Sequence, residues 1–336
     1  MGVAAQIEAR RMSAAEYFDA PGLSYSQMKD LAVSPLRFWF RWINPERVIE
    51  EPTPEMRLGS ALHCAVLEPD VFLDRYASKI GPEDFDGCLE TIEDIRLWIR
   101  SKGQTPKGTR KADVIEQAVS IDASVPIFDV LERRHFAQHN GKVMLPRDDW
   151  DRVYAAAKAL QAEPKLQAIL SEGGQSEFCI LVRDPETGVR LKGRLDWVTE
   201  KTILDLKTFS QKRGKSIDKT VTDAIYWEQY HLQGYFYSLL MALFAGLDPT
   251  SGPQKVQRYV LAFVESEQPH EVRIRSLLPK AAAQVNMLWE TARIEVRNLI
   301  RLYAACSEKY GTKPWRDPSD VEPLVDEEFP ALAYGV

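Results

Sequence analysis

The run Thr202-Ile-Leu-Asp-Leu-Lys-Thr-Phe209 decides the fold. It is a short apolar stretch of strand length, with turn chemistry near both ends. Side chains alternate along a strand, so Asp205 and Lys207 leave by the same face. Burying a carboxylate and an ammonium is costly unless they pair or engage a metal. A surface salt bridge is the plain alternative. Upstream, Val189 to Val198 reads as another strand and carries Asp196 in Gly193-Arg-Leu-Asp-Trp197. The link Thr199 to Lys201 is short enough to fold these strands side by side, placing Asp196 near Asp205 at one end of a sheet. Before them, Glu177-Phe-Cys-Ile-Leu-Val182 is a strand and Asp184-Pro-Glu-Thr-Gly188 is a turn.

Outward from this sheet the periodicity is mostly helical. Leu23 to Ser34 reads as a helix capped by Ser24 or Ser26, with Met28 and Leu31 on one face. Pro35 interrupts it, and the aromatic-basic run Leu36 to Trp42 follows. Arg57 to Leu67 is a further helix, whose Gly59, Ser60 and Ala61 permit close packing near His63. Helices are predicted over Phe128 to His139 and from Trp150 to Leu160, the latter capped by Asp148 or Asp149. One long helix is predicted from Ala224 to Phe244. Strands follow at Val256 to Val264 and Glu271 to Arg275, then a C-terminal helix with Pro279 in its first turn, ending near Cys306.

Composition sets mild bounds. A chain of 336 residues, 45% of them apolar, can bury a large core. The net charge of −6 argues against a protein that coats nucleic acid passively, but not against an enzyme with a basic channel. The scattered Cys64, Cys88, Cys179 and Cys306 give no zinc spacing and no disulfide framework, which points to reduced thiols and a cytoplasmic setting. Neither a signal peptide nor a membrane span is expected.

Two carboxylates beside a lysine suit chemistry on phosphate. Carboxylates favour Mg²⁺, with waters and substrate oxygens completing its shell. An ammonium neutralises developing charge. With Gly59-Ser-Ala-Leu-His63, Gly193-Arg-Leu-Asp196, Asp205-Leu-Lys207 and Gln233-Gly-Tyr-Phe-Tyr237 in this order, after Ser24-Tyr-Ser-Gln-Met-Lys and Ser34-Pro35, the chain resembles the RecE-type exonucleases of phages and prophages. These belong to the restriction-endonuclease-like, PD-(D/E)XK superfamily, with lambda exonuclease and the RecB nuclease domain. The resemblance runs from about Leu23 to Leu243. It implies an α/β fold with a mixed central sheet flanked by helices.

It also implies site roles. His63, Asp196 and Asp205 would hold Mg²⁺ or Mn²⁺, with the Leu206 carbonyl as a further ligand and Glu177 serving a second metal directly or through water. Lys207 would stabilise charge. Gln233 and Tyr237, four apart on one helical face, would line the cleft as supporting groups. The implied reaction is in-line attack of water on a terminal phosphodiester of duplex DNA, running 5′→3′ and leaving 3′ single-stranded overhangs. A homo-oligomeric ring, tetrameric or trimeric, and a phage single-strand annealing protein as partner come from the same resemblance. The rivals are a RecB-like or structure-specific nuclease of other polarity and a non-catalytic protein that binds DNA ends.

The expected organisation is a flexible lead-in over 1–22, a nuclease domain over 23–310, an insertion over 89–120 and an acidic tail over 311–336. The insertion resembles a SAP motif, two helices around a basic, glycine-rich turn. Its Lys102, Lys107, Arg110 and Lys111 would touch phosphates without reading sequence. Lys212, Arg213 and Lys215, in the basic loop after the Asp205 strand, are further DNA contacts. That loop is no phosphate-binding loop, because Phe209 stands where Gly214-Lys215-Ser216 needs a leading glycine. His135-Phe-Ala-Gln-His139 lacks the glutamate of a zinc signature. The Leu36 to Trp42 patch would either stack a frayed base or pack in the core with its arginines solvated.

Overall fold

Local sequence chemistry sets most element boundaries in the computed structural model, which describes residues 8–10, 12–48, 50–247, 258–277 and 287–316. The described part of the segment expected to be a flexible lead-in, residues 8–10 and 12–22, is built into the fold. Its strand β1 (Glu8–Arg10) pairs antiparallel with residues 179–181, and helix α1 (Ala14–Asp19) carries a capping box between Ser13 and Glu16. The buried Lys192 explains the docking: its Nζ donates to the carbonyls of Tyr17, Phe18 and Ala20 at 3.0, 3.1 and 2.6 Å. A cation thus closes the C-terminal end of α1, where unpaired carbonyls gather.

Helix α2 (Tyr25–Val33) is capped by Ser24, not Ser26, with Gln27 completing a capping box. Ser24→Ala is expected to cost about 1 kcal/mol, read as a lowered Tm. Pro35 opens a new helix, α3 (Pro35–Trp42), with Ser34 as its cap. Both Arg37 and Arg41 of the aromatic-basic patch are tied to the buried Asp30, as is the Trp42 indole. Helices α4 (Pro54–Leu67) and α5 (Pro69–Arg75) and strand β2 (Tyr76–Ser78) follow.

The insertion holds α6 (Ile92–Ser101) and α7 (Lys111–Ile121) around its own small core of Ile95, Ile99, Val114 and Ala118. That core reaches Val125 and Ile127, and a bridge from Leu89 to Ile127 closes it, so the unit extends past residue 120. Next come α8 (Phe128–Gln138), β3 (Val143–Leu145), α9 (Arg147–Gln161) and α10 (Pro164–Leu170). Neither Asp148 nor Asp149 caps α9; both lie in its first turn, where acidic side chains suit the helix dipole.

The central strands are β4 (Gln175–Arg183), β5 (Arg190–Val198) and β6 (Thr202–Phe209). Where one helix was expected there are two, α11 (Ile217–Trp227) and α12 (Tyr230–Phe244). The break is Gln229, left-handed at φ 58°, whose carbonyl accepts a 2.6 Å bond from the Tyr25 hydroxyl. Strands β7 (Arg258–Glu265) and β8 (Val272–Ser276) and helix α13 (Met287–Tyr310) are the last elements among the described residues. Pro279 lies outside the described residues. So does most of the expected tail, but Trp315 is buried and stacks on Phe38, so residues 311–316 belong to the folded body.

Among the described residues the sheet runs β1-β4-β5-β6-β7-β8, with β6 and β7 parallel and the other neighbours antiparallel. Helical layers cover both faces, which is why β6 and β7 are nearly continuous apolar runs. Ile203, Phe209, Leu261 and Phe263 pack with α2, α12 and α13; Leu204, Leu206, Val260 and Ala262 pack with α4, α9 and α10. Glycine lets α12 approach: a Cβ on Gly234 would stand 2.9 Å from the Tyr259 ring, and one on Gly193 would stand 2.4 Å from Leu240. No helix among the described residues is long and apolar enough to cross a membrane.

Candidate active site

A regular hairpin would pair Asp196 with Asp205, because Trp197 faces Leu204 and Val198 faces Ile203. That ladder stops after two pairs. β5 and β6 then diverge as a V, and Leu23 fills its far end by bonding Arg190 and Lys192. In the crotch, Asp196 Oδ2 accepts a 2.9 Å bond from Leu206 N–H, so a carboxylate takes the place of a backbone acceptor. β4 is distorted at the same level. Ser176 and Phe178 pair with Trp197 and Leu195, but Glu177, opposite Asp196, is left-handed at φ 53°. A non-glycine residue in that region stores about 1–3 kcal/mol of strain, and such residues cluster at functional sites.

The V lets both helical layers reach one point. From α4, His63 Nδ1 lies 3.5 Å from Asp196 Oδ2, and its Nε2 lies 3.2 Å from the Leu206 carbonyl oxygen. From α12, Gln233 donates to Asp205 Oδ1 at 3.2 Å. Lys207 pairs with Asp205 Oδ2, and its ammonium sits 5.0 Å from the centre of the Tyr230 ring. Glu177 pairs with Arg194. Beyond it, the buried Glu68 pairs with Arg75 and accepts from Ser176 Oγ at 3.2 Å.

The charges are strongly perturbed. Burial pushes the Asp205 carboxyl up to about 6; Lys207 opposes this, and Asp196 adds to it. Burial draws the Lys207 ammonium down, but Asp205 and Asp196 more than offset it and hold it above the ordinary lysine value. Burial also raises Glu177 against the pull of Arg194, with Asp196 and Glu68 acting in the same upward direction. The Tyr237 phenol is raised well above its ordinary value by burial, with Asp205 and Asp196 acting in the same direction.

Of the residues singled out in the sequence, His63, Asp196, Asp205, Leu206, Lys207 and Gln233 converge. Tyr237 does not reach Lys207; it packs deeper, beside Tyr259 and Gly193. The ring over the lysine is Tyr230, three residues before Gln233 and on the same helical face, a spacing legible in the sequence. Arg194 was legible too, two residues from Asp196 along a strand. Glu68 carries no local signal. Gly59 does not serve close packing: a Cβ there would meet nothing within 4 Å, so the α4 surface one turn before His63 is open. Among the basic residues, Arg110 pairs with Asp113, Lys111 with Asp129 and Lys215 with Asp223. Lys102 lies over the Trp98 ring, while Lys107, Lys212 and Arg213 are exposed.

Residues 24–316 match the PDDEXK-like domain of unknown function, DUF3799. The chain belongs to this family. It has the family's mixed α/β character, and the PDDEXK-like fold supports a nuclease. Among solved structures, a candidate exonuclease from Eubacterium rectale is 14% identical, with 76% of this chain and 86% of that chain covered and a TM-score of 0.35. The protein SSO0001 is 12% identical, with coverages of 73% and 86% and a TM-score of 0.24. No curated protein matches the sequence.

PDDEXK nucleases usually use divalent metals, and the donors in the V are of a suitable kind. Carboxylate and carbonyl oxygens with one imidazole suit Mg²⁺ or Mn²⁺. Asp205 Oδ2 is buried and, among the described residues, meets only the Lys207 ammonium. No three His, Cys, Asp or Glu side chains among the described residues are drawn into a closed metal-binding group. The donors therefore fit an open site in which water and substrate supply part of the shell.

Proposed function

We propose that this chain is a divalent-metal-dependent exonuclease that digests linear duplex DNA 5′→3′ and leaves 3′ single-stranded overhangs for recombination. The observation that carries the reading is the Asp196 carboxylate set into the β5–β6 ladder, which gathers two carboxylates, a histidine and a lysine at one opening. Asp196, Asp205, His63 and the Leu206 carbonyl are the groups that would hold the cation, with Glu177 at its edge. A divalent cation bound there supplies Lewis-acid polarisation of the phosphate and eases deprotonation of water. Lys207 carries the fixed positive charge that faces the phosphate as charge develops. Gln233 orients Asp205, and Tyr230 braces Lys207. Polarity and the overhang product rest on the RecE-type resemblance, as do a ring of four or three copies around the duplex and an annealing protein as partner.

The test is digestion of linear and closed circular duplex DNA, with and without Mg²⁺, using substrates labelled at the 5′ or 3′ end. Early release of 5′ label from linear DNA alone is expected. Early release of 3′ label would reverse the polarity, and metal-independent binding without cleavage would overturn the nuclease reading. Light scattering on and off DNA tests the ring.

Gly59 offers a separate check. Gly59→Ala should gain about 0.5–1 kcal/mol by removing a flexible residue from a helix where space is free, read as a raised Tm. Gly59→Leu should fold but cleave roughly ten-fold slower or worse, because it fills the open surface beside His63 and displaces substrate. Full activity with leucine would show that DNA does not pass over this face.

A further inference from the structure

The break between α11 and α12 does more than aim Tyr230 and Gln233. It leaves Tyr226 and Trp227 in solvent, 54% and 75% exposed. Their rings meet edge to face, with centroids 5.0 Å apart at 85°. Tyr226 also lies flat on His231, at 5.6 Å and 4°. His231 is buried, and its Nδ1 lies 3.0 Å from the Ile225 carbonyl. The exposed pair is therefore backed by a fixed ring and held at a locked turn, which limits the ordering cost of binding.

Its position gives it a use. Three peptide links separate Trp227 from Tyr230, so their Cα atoms lie within about 11 Å. Tyr230 in turn covers Lys207 at 5.0 Å. The loop leading into α11 exposes Lys212 and Arg213. Aromatic faces beside a cationic track are how proteins hold single-stranded nucleic acid without reading sequence. Two rings set among exposed charged residues such as Lys219 and Glu228 are too small an apolar area for a stable contact between copies, which needs about 800 Å² from each partner.

We propose that Tyr226 and Trp227 form a stacking subsite for an unpaired base of the DNA strand engaged at Lys207 and Asp205. The inference rests on the nuclease reading above. Stacking there would stabilise a frayed duplex end, so that one strand enters the V while the other is left behind.

The experiment is a double-mutant cycle between protein and DNA. Affinity for a short end-bearing duplex is measured for the full chain and for Trp227→Ala, with normal terminal nucleotides and with abasic sites in their place. All four measurements are made in an Asp205→Asn background to prevent cleavage. Trp227→Ala is expected to weaken binding of the normal end roughly 5- to 150-fold, the loss of one base–aromatic stack. On abasic DNA it should have little further effect. Trp227→Phe, which keeps a π-face, should recover much of the loss. Equal losses on normal and abasic DNA would overturn the subsite, as would a change of molecular mass on light scattering, which would assign the pair to a contact between copies. If the wild-type chain cleaves no DNA, the nuclease reading fails and the subsite with it; cleavage with equal losses removes the subsite alone.

Discussion

Asp205→Asn is expected to cut digestion of linear duplex DNA by at least ~10²–10³-fold, because it removes a negative charge from the groups that would hold the cation, whose stabilisation of the phosphate is at least that of one fixed donor. The same change strands the Lys207 ammonium, whose side chain is only 16% exposed, without its counter-charge. Breaking a buried ion pair from one side costs about 3–5 kcal/mol. Asparagine has one acceptor oxygen where Gln233 and Lys207 each meet a carboxylate oxygen, so one of the two donors also loses its acceptor. Lys207→Met alone strands the opposite charge, although burial already raises the Asp205 carboxyl and loss of Lys207 raises it further, so uptake of a proton relieves part of the cost. The double variant Asp205→Asn with Lys207→Met should recover most of the stability, because no buried charge is left unpaired, and none of the activity. Chemical denaturation and end-labelled digestion on the same four proteins read both effects. An active double variant would show that the pair is structural and that the chemistry lies elsewhere.

That dissociation is worth testing because the pair was the most legible part of the site. Period-two alternation alone puts Asp205 and Lys207 on one face of β6, and the burial of that strand follows from its apolar run. The short link after Val198 likewise made the β5–β6 hairpin readable. His63 was another matter: it lies 143 residues before Leu206, and only the motif resemblance connected them. The V itself was not readable, because nothing local in Gly193-Arg-Leu-Asp forbids the ladder from continuing to Asp205. The divergence depends on Leu23 bonding β5 from the N-terminal segment, a contact across the whole domain. Gln229 was opaque for a related reason. A glutamine in a helical pattern signals no break, and its left-handed backbone is held by Tyr25, at the start of α2. Lys192 in a buried strand was a usable signal, since a buried ammonium demands acceptors, and they proved to be the carbonyls of α1. Trp315, too, is a large ring that argues against a solvated tail at that point.

The V makes Asp196 the second residue whose replacement should be severe, and asparagine and alanine should differ in an informative way. Its Oδ2 holds the Leu206 N–H at 2.9 Å and faces His63 at 3.5 Å. An asparagine oxygen can keep the backbone bond, so Asp196→Asn should hold the opening of the V with little change in Tm. It removes a negative charge from the groups that would hold the cation, and DNA digestion should fall ~10²-fold or more. Alanine removes the acceptor as well. Leu206 N–H is then left without its partner, at a cost of about 1–3 kcal/mol, and β5 and β6 are free to close toward the Asp196–Asp205 register. Asp196→Ala should therefore lose both stability and activity, whereas Asp196→Asn should lose activity alone. Calorimetry paired with digestion separates the two. Wild-type digestion by the asparagine variant would mean that Asp196 serves only to hold the strands apart.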